Sequence, residues 1–201
     1  MNSESMKLLF AIEQRSKSLP YPRDEREDGV NIGFQPLKGA AESDILAIPE
    51  TADSLPLRQA LLALNAKETD LFTVGCEKSL NLNQTRHWKK GYLEFAYNYA
   101  EVVADAVPYF VLFFHFQQAA DTRKFIASNR IQFIWEIQGV RFTKISRDGF
   151  ACCVWITTGE FETAAECERV WGEAVRLLTR YLASCRIKKR PTSPLTPIYD
   201  A

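Results

Sequence analysis

Two histidines, His87 and His115, are the imidazoles this chain offers for proton transfer near neutral pH. His115 stands in the apolar run of residues 109–116, which reads as a strand covered on both faces. From such a strand an imidazole could meet Cys153 or Glu94 on neighbouring strands, giving a thiol with a base beside it. His115, Cys153, Glu94 and Tyr97 are therefore the candidate ligand-binding or reactive set, placed between a sheet and its helices. The competing reading of His115 is a core imidazole whose nitrogens are hydrogen-bonded.

A second chemistry is charge. Arg86, Trp88, Lys89 and Lys90 read as a basic loop with one aromatic residue, and Arg186, Lys188, Lys189 and Arg190 follow the last helix. Such groups could hold phosphates and stack a base. The plain alternatives are a polar turn and cations that favour a helix C-terminus. A third feature is an aromatic excess: Tyr92, Tyr99, Tyr109, Phe113 and Trp135 exceed what one core face needs, and such residues are enriched where surfaces meet partners.

Other motifs are absent. The sequence has no glycine-rich phosphate loop and no nucleophile elbow. Cys152 and Cys153 are adjacent, so on a strand their thiols point to opposite faces and cannot share a zinc ion; neither metal nor cofactor is expected. Glu160 and Glu162, close to Glu166, sit where carboxylates favour a helix N-terminus.

Composition narrows the classes. The 201 residues hold 25 Lys plus Arg against 25 Asp plus Glu, so no global charge favours nucleic acid or an anionic membrane. Five cysteines at irregular spacing predict free thiols. Residues 6–12 would resemble the start of a signal peptide, but Glu13, Gln14 and Arg15 end the apolar run early; the expected location is cytoplasmic, with no membrane span.

The elements follow from periodicity. Residues 131–137 and 150–158 alternate like strands with one buried face, and Asp148-Gly149 reads as their hairpin turn. Residues 71–80 and 92–101 read as two more strands, the second followed by the covered strand at 109–116. Thr163 with Glu166 reads as a capping box that opens an amphipathic helix running to Leu182. Shorter helices are predicted at residues 5–17, from Ser54, and at 121–129, while 23–29 reads as a solvated charged loop.

The expected fold is α+β: an antiparallel sheet of about five strands with helices packed on it, a long C-terminal helix and an irregular N-terminal arm. Residues 1–53 form the helix and arm, 54–185 the α+β domain, and 186–201 a basic, proline-containing tail. This order of elements resembles that of secretion-chaperone-like domains, which dimerise and hold partner segments; the resemblance is one of layout. The expected function is a non-enzymatic, chaperone-like interaction or adaptor module that binds a protein partner or itself. A small-molecule site or enzyme around His115 is the first alternative, and nucleic-acid binding through 86–90 and 186–190 the second.

Overall fold

The computed structural model describes residues 6–11, 17–26, 29–83, 85–187 and 194–200. Its centre is a pair of hairpins. Strands β5 (Leu71–Asn83) and β6 (Arg86–Tyr97) form one, β7 (Ile131–Phe142) and β8 (Arg147–Thr158) the other, and β6 pairs antiparallel with β8. The alternation read along β7 is realised: Ile131, Phe133, Trp135 and Ile137 are buried. The turn lies elsewhere. A helical turn at Thr143–Ile145, closed by Ser146 at φ 50°, joins the strands, and Asp148 and Gly149 already belong to β8. Gly149 is needed because its backbone lies against the carbonyl of Val103, where a Cβ has no room.

The sheet is mixed and has six strands among the described residues. Two N-terminal segments, β1 (Met6–Ala11) and β2 (Lys17–Leu19), pair parallel with β7, so the order runs β1, β7, β8, β6, β5 with β2 in line with β1. The helix predicted over 5–17 is thus a strand at 6–11; residues 12–16 lie outside the described residues. Lone short apolar stretches fit either state, and the open edge of β7 supplied the hydrogen-bonding partners that decided this one.

Residues 109–116 are not a strand. They lie in helix α4 (Val107–Gln118), which follows the short α3 (Ala100–Val103) and begins with Pro108 in its first turn, where proline's missing N–H costs nothing. A run that is apolar on all sides carries no period to read, so a doubly covered strand and a buried helix look alike. Tyr109, Leu112, Phe113 and Phe116 point inward at helical spacing, Tyr109 onto Phe95 and Tyr97, Phe113 onto Trp135, and Phe116 onto Phe133 and Trp135. Helix α5 (Ala120–Ser128) follows directly, with Asp121 in its first turn.

The same sheet face is covered by α2 (Leu55–Asn65) and by α6 (Ala164–Ser184). Helix α6 opens on half of the capping box, Thr163 Oγ1 accepting from the Glu166 amide at 3.2 Å without a return bond from the Glu166 side chain among the described residues. Its inward row includes Val170, Trp171, Ala174, Val175, Leu178 and Leu182, and the Trp171 indole donates to the Ile156 carbonyl at 3.2 Å.

The described part of the N-terminal arm lies on the domain. The charged stretch from residue 23 contains two short strands, β3 (Asp24–Arg26) and β4 (Gly29–Asn31), paired antiparallel. Leu19 is buried and its carbonyl accepts from Thr143 Oγ1 at 2.8 Å. Phe34 meets Phe72 and Tyr199 through ring contacts. Just before α1 (Glu42–Leu46), Lys38 donates to the carbonyls of Ala66, Thr69 and Leu71 at 2.7–3.0 Å, closing the end of α2. Burial lowers its ammonium pKa to about 8, against the pull of Asp70 and Glu68.

Candidate functional site

The helices leave the other face of the sheet to the arm and to solvent. Here Glu94 and Cys153 are directly opposite each other across the β6–β8 ladder, both buried. Two of the four residues of the candidate reactive set therefore meet. The other two do not join them. Tyr97 lies on the helix-covered face, its backbone amide donating to the Tyr109 hydroxyl at 3.2 Å. His115 is on the outer side of α4 and exposed, because its segment is a helix and not a central strand.

Without an imidazole beside it, Cys153 is a poor nucleophile. Burial first, and then the Glu94 carboxylate, push its thiol pKa far above the ordinary value, so the unreactive protonated form persists. Burial likewise pushes Cys76 up to about 12. All five cysteines are free thiols.

What surrounds Glu94 is a set of rings and cations that the sequence did not bring together. Lys17 reaches in from β2, its Nζ 2.6 Å from Glu94 Oε2 and 4.3 Å from the ring centre of Tyr21. The Tyr21 hydroxyl donates to the Val74 carbonyl at 3.0 Å. Tyr92 lies edge-on to Trp155 at 4.8 Å, Lys90 stands 4.2 Å over Trp155, and the Trp155 indole donates to Glu136 at 3.2 Å. Alternation along β6 and β8 could have shown Tyr92, Glu94, Cys153 and Trp155 on one face. Lys17 and Tyr21 arrive only because the arm crosses that face, which no local pattern signals.

The partner-binding aromatics divide differently from their sequence reading. Tyr109, Phe113 and Trp135 are core residues, and Tyr99 is half-buried with its hydroxyl on Asp70 at 2.9 Å. Only Tyr92 belongs to the open face. Exposed apolar residues gather instead on the outer side of α4, where Val107 is 59% exposed, Val111 44% and Phe114 51%, while Leu46, Leu55, Leu80 and Leu82 are exposed elsewhere. Phe10 of β1 is 45% exposed and continues this ridge, its ring 5.4 Å from that of Phe110. Among the described residues no strand pairs with the outer edge of β1.

The basic residues of 86–90 are in strand β6 and not in a loop. Arg86 pairs with Glu162 at 3.2 Å, and Lys89 is buried over the Trp171 ring with Glu168 as its ion-pair partner. Trp88 is half-buried. Arg186 donates to the carbonyls of Ala183 and Cys185 at the end of α6, the role expected of a cation there. Lys188, Lys189 and Arg190 lie outside the described residues.

A trough of about 710 Å³ runs along α6 between α2 and α5. Ala60, Ala63, Phe125 and Leu177 give it apolar walls, and its rim carries both signs of charge, Lys124, Arg176 and Arg180 with Asp121 and Glu173. Among the described residues no group of histidine, cysteine and carboxylate side chains is placed to hold a metal, and no helix is long and apolar enough to cross a membrane.

Comparison with protein-family models, with curated proteins and with solved structures gave no match for this chain.

Proposed function

We propose that the protein is a non-enzymatic interaction module that associates with a second copy of itself through the outer row of α4 and the free edge of β1. The observation that carries this reading is the ridge of Val107, Val111, Phe114 and Phe10 beside a strand edge that no strand of the described residues pairs with. Monomeric proteins blunt such edges with charged side chains, lysine above all, with proline or with bulges, and β1, with the sequence MKLLFA, carries Lys7 and no proline. A two-fold axis beside β1 would bring the same ridge of each copy together and remove both edges from water.

The trough along α6 is the place for a partner segment. Its apolar walls suit the apolar face of an amphipathic helix, laid in by the helix-in-groove mode, and its rim of Lys124, Arg176 and Arg180 with Asp121 and Glu173 suits polar edges of mixed charge. The protonated thiol of Cys153 and the separation of His115 from Glu94 favour binding over catalysis.

Light scattering tests the association. The wild-type chain is expected at twice its own mass, and Phe114→Glu, which places a charge in the middle of the ridge, at the monomer mass. A wild-type monomer at every concentration overturns the reading.

A further inference from the structure

The C-terminal segment 194–200 lies on the domain in the manner of a bound peptide. Strand β6 ends at Tyr97, and Asn98 and Tyr99 lead from it to α3. The segment runs antiparallel to this link, with Pro197 bridged to Tyr99. Five hydrogen bonds fasten its main-chain atoms. The Thr196 carbonyl accepts from the Ala100 amide and the Ile198 amide donates to the Asn98 carbonyl, both at 3.0 Å. The Thr196 amide donates to Glu101 Oε2 at 3.0 Å. The Asn98 side chain then grips one residue from both ends, accepting from the Tyr199 amide at 2.9 Å and donating to the Tyr199 carbonyl at 2.8 Å. Such bonds carry no sequence information, so any extended segment that enters the groove can make them.

Side chains are read at two places. Ile198 is 2% exposed and belongs to the core. The Tyr199 ring lies 4.9 Å from that of Phe72 and 5.5 Å from that of Phe34, with Lys144 4.6 Å over it. Thr196 and Pro197 are exposed. Main-chain bonds for affinity with pockets for selected side chains are the plan of peptide binding by strand addition. The segment also leaves part of the groove unfilled: a cleft of about 480 Å³ runs on from Tyr199 along Pro20, Phe34 and Pro36. An apolar residue placed after the tyrosine would find contacts there that Asp200 does not make.

We propose that this groove is a receptor for an extended segment of another protein, with an aliphatic residue, an aromatic residue and an apolar residue in succession, and that residues 194–200 are its displaceable resident. Releasing the resident uncovers one aliphatic side chain and part of one ring, a small opening beside global unfolding. A tethered occupant competes at high effective concentration, so a free segment binds in proportion to the fraction of chains whose groove is open. None of the residues named here belongs to the ridge on α4 or the trough along α6, and the site stands whether or not the chain pairs with itself.

Isothermal titration of full-length chains with a peptide of residues 194–200, PLTPIYD, tests it. The wild-type chain, its groove filled, should bind weakly. Ile198→Asp, whose own segment cannot seat, should bind one peptide per chain about tenfold more tightly or better. Asn98→Ala added to Ile198→Asp should remove that gain. A peptide with aspartate in place of the isoleucine should not bind, and one ending in Ile-Tyr-Leu should bind more tightly than the native sequence. Should Ile198→Asp fail to fold, hydrogen exchange of the wild-type chain decides: the Ile198 and Tyr199 amides should exchange faster than those of Leu93 and Phe95 in β6. Exchange at one common rate, no tightening in Ile198→Asp, equal binding of the aspartate peptide, or no gain from the leucine would overturn the proposal. A dimer lost in Ile198→Asp with no peptide bound would make the occupant the tail of a second copy, and would overturn it too.

Discussion

Helices α4 and α6 cover the same face of one sheet, yet they are built on opposite plans. In α6 the inward row is apolar and the outward row is charged, with Arg169 and Glu173 paired at 2.9 Å on the outside. In α4 the inward row is just as apolar, with Tyr109 and Phe116 wholly buried, but Val107, Val111 and Phe114 face outward. The outer row of α6 suits water, whereas α4 is apolar on its outer row as well as its inner one, and packing on the sheet accounts for the inner row alone. On the self-association proposed above, a second copy covers the outer row of α4. Inner rows of both helices should behave alike, and outer rows should not.

The largest effects should come from the inner rows. Trp171→Ala in α6 and Phe116→Ala in α4 each remove a large side chain from a dry site and should each cost about 3–5 kcal/mol in urea unfolding. A cost near zero for Phe116→Ala would mean that α4 rests loosely on the sheet, and the contrast drawn here would fail.

Alkaline pH probes both helices through their tyrosines. Burial raises the phenol pKa of Tyr109 in α4 well above 10, and burial also raises that of Tyr181 in α6. The unfolded chain loses these protons near pH 10 while the folded chain keeps them. Stability is then complete below about pH 10 and falls above it, by up to about 1.4 kcal/mol per pH unit for a fully buried phenol. Urea titrations between pH 9 and pH 11.5 should show the decline, and Tyr181→Phe should reduce its slope. A flat profile would contradict the burial assigned to both helices.

Smaller still is the cap. Thr163→Ala removes the acceptor for the Glu166 amide and should cost about 1 kcal/mol. The smallest changes belong to the outer rows: Arg169→Ala should alter stability by no more than about 0.5 kcal/mol. Phe114→Ala should likewise stay within about 0.5 kcal/mol for the monomer. A loss of 2 kcal/mol or more at Phe114, measured where the chain is monomeric, would place its ring inside the fold.

The two helices also differ in how far they could be read from sequence. The period of α6 is written in its alternation of apolar and charged residues, and Thr163 with Glu166 marks its start. The period of α4 is erased because no polar residue from 107 to 114 says which side is out, and the same erasure hides which of its apolar residues are exposed. Strand β7 is legible because Gln132, Glu136 and Gln138 alternate with its buried row, and β8, apolar on both faces from Phe150 to Ile156, is legible as the return strand of the same hairpin. Strand β1 is not, since its pairing with β7 is made across more than a hundred residues of sequence. At the site, Glu94 and Cys153 could be placed on neighbouring strands by alternation, whereas Lys17 and Tyr21 depend on the crossing of the arm. His115 was misplaced along with the helix that carries it.

The claim on which the functional reading stands is that the outer row of α4 is covered by another copy of the chain. Light scattering of the wild-type chain and of Phe114→Glu, both checked for unchanged helix content, tests it most directly. The account predicts twice the chain mass for the first and the single-chain mass for the second. Equal masses for the two, whether both single or both double, would contradict it.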